Sequence, residues 1–128
     1  MGRGLGAVTL VLAVALTAVG CGGKTSYSLA KTRECLTAKD GVRIGRRVDF
    51  VASNALGGAM TVRVGPNRVV ISFGQDEQEA QRIAAAYRRV RGRNIGIEDI
   101  LRPQRNAVLL WRAHPDPNDE ETVTGCLK

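Results

Sequence analysis

Three cysteines (Cys21, Cys35 and Cys126) and a single histidine, His114, are the side chains best suited to covalent or metal chemistry in this 128-residue chain. A zinc or catalytic role for His114 needs further histidines or spare cysteines beside it, and the sequence supplies neither. Asp116, Asn118 and Glu120 alternate like the opening of a calcium loop. The loop's sixth-position Gly and its distal Glu are missing, so the run reads as an acidic lead-in to a helix. Ser28-Leu29-Ala30-Lys31 fits an S-x-x-K pattern without its partner sequences, and Ser28 is better used as a helix cap. Glu77, Glu79, Glu98 and Asp99 could supply an acid–base pair, but most sit at helix starts. No Gly-rich phosphate cradle occurs. The sequence therefore predicts no catalytic residue, no metal and no cofactor.

Cys21 stands apart from the other two cysteines. An apolar run of 15 residues, Leu5 to Val19, precedes it, with Arg3 and the amino terminus ahead of that run. As a helix the run spans roughly 22 Å, short of the roughly 30 Å hydrocarbon core of a bilayer but normal for the apolar part of a secretory signal. No Arg-Arg pair occurs near the start, which points to general secretion rather than twin-arginine export. Ala18-Val19-Gly20-Cys21 resembles the lipobox of bacterial lipoproteins, a family of processing signals rather than of folds. Ala18 stands where that pattern most often has Leu. The resemblance covers only the first 22 or so residues. It implies that residues 1–20 are removed, that the Cys21 thiol carries a diacylglyceryl group, and that residues 21–27 form a short tether. The partner implied is the lipid bilayer, and the location is the extracytoplasmic face of a bacterial cell membrane. Two other readings of the same residues stay open: secretion after cleavage at Ala18-Val19-Gly20 without acylation, and an uncleaved signal anchor.

Cys35 and Cys126 are then an even pair in a chain that leaves the reducing cytosol, and a disulfide between them is expected. It would close a loop of about 90 residues, tying the first element of the domain to its last.

The strongest surface signal is arginine. Arg outnumbers Lys 15 to 4, and without Arg3 the cations number 18 against 12 Asp+Glu, a formal charge near +6. Clusters fall at Arg43, Arg46 and Arg47, at Arg88, Arg89, Arg91 and Arg93, and at Arg102 and Arg105. The plainer reading is a solubilising face with helix-end complementarity. The functional reading is contact of the first two clusters with anionic lipid or a wall polymer, each cation near a charged membrane contributing up to about 1 kcal/mol. Nucleic acid is not expected, because export removes the usual partner and aromatics do not interleave with the basic residues.

The elements that must position these groups follow from hydrophobic periodicity. Ser28 caps a helix over 29–39 that Gly41 stops. Val42-Arg43-Ile44 begins an extended stretch that resumes at Val48–Ala52. Two alternating runs around Gly65-Pro66-Asn67 make a β-hairpin over 59–73. Asp76-Glu77-Gln78-Glu79 has capping-box spacing and opens an amphipathic helix over 77–91. Ile97–Leu101 makes a helical turn before Pro103. Residues 107–112 form a buried strand, and a short C-terminal helix opens near Asp119. The expected fold is α+β: one small two-layer domain over residues 28–128, a mostly antiparallel sheet with helices 29–39 and 77–91 on one face. The expected function is that of a non-catalytic, lipid-anchored envelope protein with a binding or structural role. A wall-acting hydrolase and a small lipid or ligand carrier are the alternatives, and the sequence names no protein partner.

Overall fold

A computed structural model describes residues 26–91 and 96–128; the signal at 1–20, most of the 21–27 tether and Arg93 lie outside the described residues. The elements run α1 (Leu29–Thr37), β1 (Val42–Gly45), α2 (Phe50–Ser53), β2 (Ala59–Val64), β3 (Asn67–Phe73), α3 (Glu77–Val90), α4 (Ile97–Ile100), β4 (Leu101–Gln104), β5 (Ala107–Trp111) and α5 (Pro117–Thr124). The strands form one antiparallel sheet in the order β1-β2-β3-β5-β4. β3 and β4 therefore run in the same direction with β5 between them, and α3 and α4 make the crossover.

Local chemistry explains most boundaries. Ser28 accepts a hydrogen bond from the Lys31 N–H at the start of α1. Asp76 accepts from the Glu79 N–H at 2.7 Å and caps α3. The Glu79 carboxylate reaches back to the Gln75 N–H, one residue beyond the usual capping-box partner, and also accepts from the Leu56 N–H at 3.0 Å. That second bond pins the 54–58 loop to the helix start. In the same loop a Cβ on Gly57 would lie 2.5 Å from the Phe73 carbonyl oxygen, so only glycine lets the backbone pass β3 this closely. Asp116 accepts from the Asn118 N–H and Pro117 follows it, so α5 begins two residues earlier than its acidic run suggests.

Two expectations are corrected and one element is added. Helices 29–39 and 77–91 were expected on one face of a two-layer domain, but they lie on opposite faces of the sheet. α1 and α5 cover Met60, Val62, Val69, Ile71, Phe73, Leu109 and Trp111 through Leu36, Val123 and Cys126. On the other side α3 places Ala80, Ile83, Ala84 and Tyr87 over Val108 and Leu110. The reason is β5, where all five residues are buried. An apolar strand without alternation needs cover on both sides. Second, Val48–Ala52 does not continue as a strand. Asp49 accepts from the Ala52 N–H at 2.9 Å and turns the chain into α2, leaving Phe50 81% exposed. The added element is β4 around Pro103, to which the sequence pattern assigns no structure: an edge strand, where a missing N–H is tolerated.

Tyr87 links α3 to this corner. Its hydroxyl donates to the Asp49 carboxylate at 2.9 Å, and burial foremost, with that carboxylate, pushes the phenol well above its ordinary value.

A disulfide joins Cys35 to Cys126 with the two Cα atoms 5.4 Å apart. Beside it the Ser28 N–H donates to the Lys128 carbonyl, and the Lys128 N–H donates to Thr32 Oγ1 at 3.2 Å. The two ends of the domain are thus closed on each other. Among the described residues no helix is long and apolar enough to cross a membrane. Closing a loop of this length is worth roughly 4–5 kcal/mol in the chain-entropy account, an upper value that residual structure in the unfolded chain reduces. The Cys35→Ser/Cys126→Ser double variant is expected to lose about 3 kcal/mol, read as a fall of roughly 1–2 M in the urea midpoint. An unchanged midpoint would show that the bridge carries no stability.

Candidate anion-binding site

The hairpin loop is two residues long, Gly65 and Pro66, and Gly65 adopts φ +55 at its first position, as a tight turn led by glycine requires. The loop pairs Val64 with Asn67 and, one step back, Arg63 with Arg68. β1 adds Arg43 directly opposite Arg63. β5 pairs Trp111 with Val69, and the next N–H along, that of Arg112, donates to the Arg68 carbonyl at 2.8 Å. Four arginines from four neighbouring strands therefore stand abreast on one face of the sheet: Arg43, Arg63, Arg68 and Arg112. Adjacent strands are about 4.8 Å apart, so the row spans about 14 Å.

It lies on the face that α3 covers only in part. α3 packs against β3, β5 and β4, and leaves that side of β1 and β2 open. A depression of about 290 Å³ there is lined by Arg43, Gly45, Arg46, Arg47, Thr61, Arg63 and Arg68. Gly45 and Thr61 form its floor, and the Thr61 hydroxyl donates to the Arg47 carbonyl, fixing the Arg46-Arg47 segment against β2. A second depression continues past Arg68 to Arg112 and to Arg91 at the end of α3. All seven arginines are solvent-exposed. Among the described residues no ion pair reaches any of them; the pairs present are Arg88–Glu98, Arg102–Glu120 and His114–Asp99. Asp116 and Asp119 share a further depression with Arg112 beyond the end of the row, without pairing to it.

Of the arginines predicted to meet an anionic surface, Arg43, Arg46, Arg47 and Arg91 are brought together. Arg88 is drawn away, its Nε 2.6 Å from Glu98, and the bond to that carboxylate raises the Arg88 pKa and lowers that of Glu98. Arg89 is exposed on α3 outside both depressions. Arg93 lies outside the described residues. Of the third cluster, Arg102 bonds Glu120 at 3.1 Å and Arg105 lies over the Tyr27 ring at 5.2 Å. Arg63, Arg68 and Arg112 are missing from the sequence-based set. For Arg63 and Arg68 the signal was the hairpin itself, since a two-residue loop puts them opposite each other.

Most of the candidates for other chemistry have local partners. Glu79 and Asp76 hold the start of α3, Asp116 caps α5, Ser28 caps α1, and His114 Nδ1 lies 2.8 Å from Asp99. Among the described residues no three His, Cys, Asp or Glu side chains gather as a metal site would. No protein-family model, curated protein or solved structure matches the chain. The geometry of the arginine face therefore carries the functional reading.

Like charges directly opposite each other in a sheet destabilise it, by up to about 1 kcal/mol per pair. Arg63 takes part in two such pairs. Arg63→Thr, which keeps a good strand former, is expected to stabilise the fold by about 1 kcal/mol, or about 4 °C in Tm. The wild type is also expected to gain more stability than this variant between about 0.01 M and 1 M salt. A lower Tm for Arg63→Thr at low salt would contradict this reading of the row.

Proposed function

We propose that this chain is a non-catalytic lipoprotein of the bacterial envelope, moored by an acylated Cys21 and binding anionic envelope material through its arginine face. The observation that carries the binding role is the row Arg43-Arg63-Arg68-Arg112, kept in register against its own repulsion and without an acidic partner among the described residues. An anion laid on the row turns an unfavourable arrangement into a favourable one, and arginine's planar fork suits carboxylate and phosphate alike.

The mooring is supported by the order of residues 1–23: a cation, a short apolar run, small residues and then Cys21. The Cys35–Cys126 disulfide suits an oxidising compartment. Two or three acyl chains, at about 0.8 kcal/mol per buried methylene, hold a protein on a bilayer where one chain does so only marginally. The test is detergent phase partitioning of the wild type and the Cys21→Ser variant, expressed in bacteria with labelled palmitate. The wild type is expected in the detergent phase with label, and the variant in the aqueous phase without it. An unlabelled wild type in the aqueous phase would overturn the mooring and leave a secreted protein.

A further inference from the structure

The geometry points to the class of anion the row takes: a linear chain of phosphates, laid across β1, β2, β3 and β5, rather than the flat headgroup surface of a membrane. This rests on the binding reading above and narrows it.

The first argument is relief. α3 stands on the same side of the sheet as the row, and a helix is about 10 Å across. The row passes the C-terminal end of that step, with Arg91 at the helix end and Arg46 and Arg47 beside β1. A flat bilayer brought to this face meets the crest of α3 first. The remaining gap is comparable with the roughly 8 Å over which salt screens charge at physiological ionic strength. A polymer one strand wide can enter the step.

The second argument is the tether. Tyr27 is held by Asn106, its N–H donating to Asn106 Oδ1 at 2.7 Å, and Asn106 also binds the Gly74 carbonyl. The chain thus leaves the domain beside the Phe73–Ala107 pair, five residues along the strands from the Arg68–Arg112 pair. That is about 17 Å. Tyr27 and Leu29 also pack with the α1 and α5 layer, on the face opposite the row. A tether of six residues from Cys21 reaches at most about 20 Å. It therefore favours an orientation with the row turned away from the membrane that holds Cys21.

The third argument is chemistry. The lone pairs of a carboxylate all lie in one plane, so guanidinium forks can approach it only edge-on. A phosphate offers acceptors in several directions, so one group seated between arginines about 4.8 Å apart can bind both. Repeating that along the row requires a chain of phosphates. Two sources supply this chemistry, a phosphoanhydride chain and a wall phosphodiester polymer.

The test uses the full chain carrying Cys21→Ser, so that its outcome does not depend on acylation. Four probes are titrated: long-chain inorganic polyphosphate, a poly(glycerol phosphate), polyglutamate, and vesicles of phosphatidylglycerol. The two phosphate polymers are expected to bind, with a slope of log affinity on log salt of about −3 for four arginines engaged. Arg63→Thr/Arg68→Thr is expected to weaken that binding at least about tenfold and make the slope shallower by about 1.4. Arg82→Thr/Arg89→Thr, which removes the same charge from α3, is expected to leave it within about twofold. The tighter of the two polymers identifies the source. An equal loss in both double variants, or polyglutamate binding as tightly, would overturn the assignment. Row-dependent binding to vesicles without binding to either polymer would overturn it in favour of a membrane. A folded state is verified in each variant by the intact Cys35–Cys126 link and by a single cooperative unfolding transition above the assay temperature.

Discussion

The register of β2 on β3 is the constraint on which the rest of this molecule depends. A loop of two residues, Gly65-Pro66, leaves one way to pair the strands. That pairing sends Met60, Val62, Val69 and Ile71 into the layer under α1 and α5. It sends Arg63 and Arg68 to the other side, facing each other. Shifting the register by one residue would exchange the two faces, burying arginine and exposing the core. The apolar side chains thus hold the arginines together. The repulsion between them is a local cost set against the burial of a whole sheet face.

The two faces differ in how fully they are covered. α1, α5 and the Cys35–Cys126 bridge close one side and tie the ends of the domain together. On the other side α3 covers the β3, β5 and β4 half, anchored at one end by Asp76 and Glu79 and at the other by Tyr87 on Asp49. The β1–β2 half stays open, floored by Gly45 and Thr61 and edged by arginine. A five-stranded sheet whose cover on this side, α3 with the short α2 and α4, stops short of β1 and β2 has room for a partner, and the charged residues left in that room carry a single sign. Positioning comes from rigid strands rather than loops, which suits a face that must hold cations at fixed spacing.

How much of this was legible in the sequence depended on range. The hairpin, α3 with its cap and the pairing of Cys35 with Cys126 could be read, because alternation, helical periodicity and an even cysteine count each leave a local mark. The α+β class and antiparallel sheet followed from them. Which face each helix takes did not, since that depends on β5 being buried twice over, and a five-residue apolar run does not announce a two-sided strand until its neighbours are known. α2 was missed because one Asp49 cap outweighed the extended pattern of Val48–Ala52. The arginine face was half legible: Arg43, Arg46 and Arg47 cluster in sequence and so drew notice. Arg112 joins them only through the non-local pairing of β3 with β5, which no local pattern encodes.

The claim at the centre is that arginines on neighbouring strands face each other closely enough to repel. A double-mutant cycle on the free energy of unfolding at low salt, with Arg63→Thr, Arg68→Thr and the double variant, measures that interaction directly. The account predicts a repulsive coupling of about 0.5 kcal/mol between the two arginines, shrinking towards zero at high salt. A coupling of zero at low salt, or an attractive one, would mean that the side chains do not share a face as described and that the row does not exist.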